Sequence, residues 1–228
     1  GVLSGSKFMV PDAGQATWIA VVGSDAAGDA VVALVAGSDV APQAQASHAL
    51  IDLTKRASTL NFTGVKAQRV LSGDKVASAI RDYLLIGALL TAAEAVGSTS
   101  ACLAGIVDYL KTRKQFGKLI GSFQALKHPT VDIYVGMEHS RSLVYHASSE
   151  IDDGPLSTEA EVACRMAKAK ASDTIQYAGD RSVQFHGGFG FTWECDSSLF
   201  IRRAAWSQQQ FGDAMHHRKR LAPLLLDA

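Results

Sequence analysis

The chain has no excess of charge of either sign. Twenty-two basic residues balance twenty-two acidic ones, so neither nucleic acid nor an anionic membrane surface is favoured as the main partner. It has no run of the roughly 18 uninterrupted apolar residues that a membrane-spanning helix needs. The longest, Leu84 to Ala93, suits a helix inside a bundle. Cysteine is scarce: Cys102, Cys164 and Cys195 are odd in number and lack metal-ligand spacing. That pattern excludes a disulfide framework and fits idle thiols in a reducing cytoplasm. His128, His139, His146 and the pair His216-His217 show no ligand spacing either, so no metal is expected. The sequence does not open on Met, and no signal peptide is expected. Gly1 leads straight into a strand pattern, which suggests a fragment, a processed product or one half of a split protein.

What is present is 228 residues, 47% of them hydrophobic, enough to bury a core in one domain or two. Up to about Leu71 the reading is β. Short apolar runs at Lys7–Val10, Thr17–Val22, Asp29–Ala36 and Ala67–Leu71 sit between Gly, Pro, Asp and Ser clusters. Ser58–Phe62 alternates as a strand, with Leu60 and Phe62 on one face. From Val76 the chain turns Ala- and Leu-rich, predicting helices over about 76–112, 122–152, 157–186 and 193–210 and a short terminal one. Ser122 and Ser157 read as N-caps, with Glu161 in the first turn after the second. Pro129 should kink the helix it interrupts. The first and third helices are apolar nearly all round and should be covered on most sides. The division expected is a partial β-sandwich or barrel over 1–74 and an antiparallel helical bundle over 75–228.

Two stretches carry chemistry. Tyr109–Gln124, YLKTRKQFGKLIGSFQ, ends a helix in a basic, glycine-punctuated turn and opens another. Gln184-Phe185-His186-Gly187-Gly188-Phe189-Gly190-Phe191 interrupts a later helix with three glycines among aromatic rings. Guanidinium charge and backbone N–H groups unscreened by side chains are what a nucleotide pyrophosphate needs. Each stretch alone is equally a capped helix end or a tight turn. His186, inside the glycine loop, would pack against or bond a nucleotide.

In this order and at this distance the two stretches resemble the acyl-CoA dehydrogenase family of flavoproteins, in its carboxyl-terminal half. The family carries R-x-x-F-G-x-x-I/L…Q and Q-x-x-G-G-x-G-[FY] segments that hold the adenosine diphosphate part of an FAD whose flavin lies in a neighbouring subunit. The resemblance places Arg113, Gln115, Phe116, Gln124, Gln184, Gly187 and Gly188 on those positions. Leu3-Ser4-Gly5-Ser6-Lys7, Asp52–Arg56 and Leu60-Asn61-Phe62 resemble strands of the family's β domain, and Gly190–Glu194 resembles its bacterial sterol side-chain branch. The fold implied is α+β: a partial β domain followed by the family's helical bundle, with the amino-terminal helical domain missing. The implied chemistry is α,β-desaturation of an acyl-CoA thioester, with FAD as cofactor. Electron-transfer flavoprotein is the implied acceptor, and a homo- or hetero-tetramer without a membrane span the assembly.

Three departures accompany the resemblance. The family's amino-terminal helical domain and T-E-P…G-S-D segment have no counterpart. Its flavin-contacting W-I-[TS] strand reads Met9-Val10-Pro11, leaving Val10 as a flavin contact beside a residue without hydroxyl or N–H. Neither usual catalytic base is present: Gln210-Phe211-Gly212 puts Phe211 at one group's Glu position, and Gly87, followed by Ala88, stands at the other's. Glu94 shares a helix face with Gly87 but lies about 10 Å further along; it and Asp213 are the candidate substitutes. The expectation is a dehydrogenase-like subunit whose lack of either usual base fits the non-catalytic partner of a heteromer. The alternative is an inactive helical assembly protein with a vestigial nucleotide loop.

Overall fold

A computed structural model of the protein describes residues 1–40 and 45–226. The chain divides into two compact units, Gly1–Asp82 and Tyr83–Ala228.

The first unit is built on two three-stranded antiparallel sheets. One runs β1 (Val2–Pro11), β5 (Ala57–Lys66), β4 (Gln45–Ser47); the other runs β2 (Trp18–Ser24), β3 (Ala30–Ala36), β6 (Arg69–Leu71). Alternation makes the core: Ile19 and Val21 of β2, Val31, Ala33 and Val35 of β3, and Leu60 and Phe62 of β5 are all buried. Residues of both sheets meet in one cluster, so the arrangement is an open sandwich and neither sheet closes into a barrel. Strand β1 carries an irregularity between Lys7 and Val10, where Met9 takes a φ of 55°. Val10 pairs with Ser58 and packs against the sandwich core. Strand β4, Gln-Ala-Ser, has no apolar alternation; it pairs with β5, and the Gln45 amide donates to the Val40 carbonyl at 3.2 Å.

Five helices follow: α1 (Asp74–Thr112), α2 (Gln124–Ser149), α3 (Thr158–His186), α4 (Ser197–Gln209) and α5 (Ala214–Leu226). Within the second unit, Leu85, Leu89, Ala92 and Ala95 of α1 pack with Val144 and Ala147 of α2 and an alanine-rich stripe of α3. Small residues let the backbones approach: a Cβ on Gly136 would stand 3.1 Å from Thr174, whose hydroxyl meets Ser140. A second cluster, including Cys102, Ile106, Leu110, Ile133, Ala178 and Phe185, lies at the other end of these helices.

Several expectations change. Ser157 does cap α3, accepting from the Ala160 N–H at 3.1 Å, but Ser122 caps nothing. Its hydroxyl donates to the Leu119 carbonyl (2.7 Å), and α2 begins two residues later without a side-chain cap. Helix α2 continues through Pro129 in its second turn, as the expected interruption of a single helix requires, with one intrahelical N–H missing there. The fourth helix starts at Ser197 rather than 193. Helix α1 is not covered on most sides within the chain, since Leu84 and Leu90 are 47% and 66% exposed. By length and composition it is apolar enough to cross a membrane, with a mean hydropathy of 1.5 over its best window. Its other face, through Leu85 and Leu89, packs as a core helix does.

Candidate functional site

Helix α1 delivers the first wall of a cleft. After Thr112 the chain forms a small hairpin of β7 (Lys114–Gln115) and β8 (Lys118–Leu119), closed by the Ile120 N–H on the Arg113 carbonyl at 2.9 Å. Its two-residue turn is Phe116-Gly117, with φ of 54° and 75°. Positive φ at both central residues gives a turn whose twist matches an antiparallel pair and suits glycine second. Phe116 accepts an uncommon backbone region, and its ring stands out 89% exposed, edge-on to Phe123 with centroids 6.2 Å apart. Lys118 places its ammonium 4.7 Å from the centre of the Phe123 ring. Arg113 is exposed, and among the described residues no carboxylate pairs with it.

Helix α3 delivers the second wall. It ends at His186, and Gly187, at φ 62°, turns the chain into a tight 3-10 segment, Gly187–Phe191. Gly190 is required there, because a Cβ would lie 2.4 Å from the Val183 carbonyl oxygen. A Cβ on Gly187 or Gly188 would meet nothing within 4 Å, so both face open space. The His186 ring stacks on Tyr109 of α1, centroids 4.1 Å apart and planes 27° from parallel. Its Nδ1 lies 2.8 Å from the Ser182 carbonyl and 3.0 Å from Ser197 Oγ.

Between the walls is a cleft of about 680 Å³. Arg113, Gln115, Phe116, Gly187 and Gly188 line it together. Gln124 and Gln184 do not: Gln124 opens α2 in an exposed position, and Gln184 is exposed on α3 with its carbonyl bonded by the Gly187 N–H. Val10 belongs to the first unit. The motif spacing did not single out Tyr109 and Phe123, which also line the cleft. Their signal was aromatic residues at both ends of the basic turn. The arrangement offers one guanidinium, a backbone left open at two bare glycines, of which Gly187 spends its own N–H on the Gln184 carbonyl, and several ring faces, a set suited to a phosphorylated aromatic ligand. Burial raises the thiols of Cys102 and Cys164 to about 11, and all three cysteines are free and buried.

The candidate base positions lie outside this cleft. Phe211, at φ 57°, lays its ring against Gly87, where a Cβ would sit 2.3 Å from the ring. Tyr83 meets the same ring edge-on, at 5.9 Å. Glu94 is ion-paired with Arg203 of α4. Asp213 caps α5, accepting from the His216 N–H at 2.7 Å.

The turn bearing Phe211 is anchored by two buried groups that the spacing gave no sign of. The His217 Nε2–H donates to the Phe211 carbonyl at 3.0 Å. Lys168 donates to Ser172 Oγ (2.9 Å) and to the Ser207 carbonyl at the end of α4 (3.0 Å). Burial, with the Lys168 charge next in weight, pushes His217 down to about 4; burial lowers Lys168 to about 8, against the opposing pull of Asp213. Among the described residues no three His, Cys, Asp or Glu side chains converge as a metal set.

Residues 77–223 match the family model described as acyl-CoA dehydrogenase, C-terminal domain. The chain belongs to the acyl-CoA dehydrogenase family. It is 39% identical over 134 residues to the acyl-CoA dehydrogenase IpdE2 of Mycolicibacterium smegmatis, a match covering 59% of this chain and 40% of that protein. Butyryl-CoA dehydrogenase from Megasphaera elsdenii superposes with a TM-score of 0.86 at 27% identity, over 99% of this chain and 60% of that one. A steroid acyl-CoA dehydrogenase structure, the Tcur3481-Tcur3483 G363A variant, gives 0.85 at 26% identity, again over 99% and 60%. The chain thus spans less than two thirds of these relatives' length. The structural likeness extends over both units, so the α+β class and the β-then-helical order expected from the sequence hold.

Proposed function

We propose that the chain is a subunit of an FAD-dependent acyl-CoA dehydrogenase, holding the adenosine diphosphate part of FAD and leaving proton abstraction to a partner chain. The observation carrying this reading is the cleft in which Arg113, Gln115, Phe116, Gly187 and Gly188 converge. The group fits these residues. A guanidinium with no carboxylate partner among the described residues suits the pyrophosphate, the bare glycines let it come close to the backbone, and the rings suit the adenine. Gln124 and Gln184, outside the cleft lining, are assigned to the ligand's outer edge, and Val10 to a flavin ring laid on β1. FAD, when bound, supplies the acceptor for the hydride lost from the β carbon as an acyl-CoA becomes its trans-2-enoyl form.

The non-catalytic assignment rests on Phe211 and Gly87, which place a hydrocarbon ring where a carboxylate is needed. Glu94 and Asp213 are engaged with Arg203 and with the start of α5. The assembly proposed is a heteromeric tetramer in the cytoplasm, passing electrons to an electron-transfer flavoprotein. A sterol side-chain or branched acyl group as substrate is supported by the Gly190–Glu194 stretch and the steroid dehydrogenase likeness.

The test is a visible spectrum of the purified chain, alone and with a candidate partner dehydrogenase chain, before and after an acyl-CoA is added. Flavin retained with the partner, lost in Arg113→Ala, and bleached only when the partner keeps its own carboxylate supports the reading. Bleaching by this chain alone would assign the base here. A chain colourless with every partner and deaf to added FAD is an assembly protein instead.

A further inference from the structure

The geometry points to His186 as the residue that gives the cleft its ligand specificity, through an Nε2 that accepts a hydrogen bond from an N–H or O–H of the bound nucleotide. The inference rests on the nucleotide reading of the cleft. It starts from the ring's fixed tautomer. Nδ1 is 2.8 Å from the Ser182 carbonyl oxygen, which can only accept, so Nδ1 carries the proton. Ser197 Oγ, 3.0 Å away, shares that proton as a second acceptor. The serine is fixed in turn, 2.9 Å from Ser182 Oγ and receiving the Cys195 thiol at 3.2 Å. Stacking on Tyr109 sets the plane of the ring. A ring held at one edge and one face has little freedom left.

In the neutral imidazole, a proton on Nδ1 leaves Nε2 as a bare acceptor. Nε2 has no protein partner among the described residues. Among the described residues the only buried side-chain nitrogen or oxygen without a partner is His217 Nδ1, so His186 Nε2 is open rather than orphaned. His186 lines the cleft, and the proposed contact takes its open Nε2 edge to the ligand. The other polar side chains of the lining can all donate: the Arg113 guanidinium, the Gln115 amide and the Tyr109 hydroxyl. A phosphate, which only accepts, therefore gains from donors such as Arg113 and nothing from Nε2. The ligand atom matched to Nε2 is a donor, which a nucleotide carries as a base amine or a ribose hydroxyl.

Calorimetric titration of the full chain at pH 8 tests this, using ADP, the purine riboside diphosphate that lacks the 6-amino group, and 2′-deoxy-ADP. Losing the donor that meets Nε2 should weaken binding roughly tenfold, the worth of one matched hydrogen bond. Loss with the first analogue assigns the amine, and loss with the second assigns the hydroxyl. His186→Phe should bind all three alike at the weakened level, while His186→Gln, which keeps an acceptor, should restore the preference. Should His186→Phe fail to fold, Ser197→Ala replaces it: the acceptor stays, its anchor goes, and the preference should shrink. Equal binding of all three by the unaltered chain, or a preference surviving in His186→Phe, overturns the assignment while the nucleotide reading stands. A chain that binds none of them overturns both.

Discussion

The ring of Phe211 occupies the space in which Gly87 would otherwise carry a side chain. A Cβ there would stand 2.3, 2.5 and 2.6 Å from three of its carbons. The absence of one side chain and the bulk of the other are therefore one feature, joining α1 to the turn between α4 and α5. Gly87→Ala should force that turn to move, at a cost of about 1–3 kcal/mol of overpacking. Phe211→Ala should also destabilise, by loss of packing, but the double variant should cost less than the sum of the two. Urea unfolding of the four proteins measures the coupling, and strict additivity would show that the ring does not need Gly87.

How much of this was legible in advance depended on range. Leu60 and Phe62 are inward-facing residues of β5, and Ser157 caps α3, because alternation and capping are decided within a few residues. The meeting of Arg113 with Gly187 and Gly188 followed from the family's motifs rather than from any local rule. Interactions set by distant partners stayed hidden. Arg203, 109 positions from Glu94, takes that carboxylate, and no periodicity in α1 announces it. Lys168 and Lys170 look alike in an Ala-Lys-Ala-Lys-Ala run, yet Lys168 is 1% exposed and bonds the end of α4.

His217 predicts an acid-side loss of stability. Burial holds it at about 4 in the folded chain, against the ordinary 6.5 when unfolded. Between those values the unfolded chain binds the extra proton, so stability falls as pH drops from 6.5 toward 4 and is intact above 6.5. A shift of this size corresponds to on the order of 3 kcal/mol. Substituting His217→Gln, which keeps a donor for the Phe211 carbonyl, should flatten that limb of the stability profile. An unchanged acid limb would assign the loss to other groups.

Lys168 gives the same sign on the alkaline side. Its ammonium is lowered to about 8 from 10.5, first by burial. From pH 8 to 10.5 the unfolded chain holds the proton that the folded chain has released, so this group makes stability rise across that window. The contribution is again on the order of 3 kcal/mol. The buried Cys102 and Cys164 thiols, raised to about 11, pull the other way above pH 9 but do so in both chains, so chemical denaturation should show the stability of the unaltered chain relative to Lys168→Met rising from pH 8 to pH 10. A difference that stays constant with pH would mean that Lys168 is not responsible.

Gly190 and Gly188 look interchangeable in the glycine loop and should not behave so. A Cβ on Gly190 meets the Val183 carbonyl at 2.4 Å and its carbon at 3.1 Å, both backbone atoms that cannot swing aside. Gly188 has nothing within 4 Å, and its φ lies outside the left-handed region that penalises other residues. Gly190→Ala should therefore distort the 3-10 turn and cost about 1–3 kcal/mol of stability, the ordinary range for overpacking. Gly188→Ala should leave the melting temperature nearly unchanged and act instead on the cleft, where a methyl group would stand between the ligand and the loop's N–H groups. Nucleotide titration and thermal unfolding of both variants separate the two roles. A Gly188→Ala chain that binds nucleotide at full strength would show that the loop's bare backbone is not what holds the ligand.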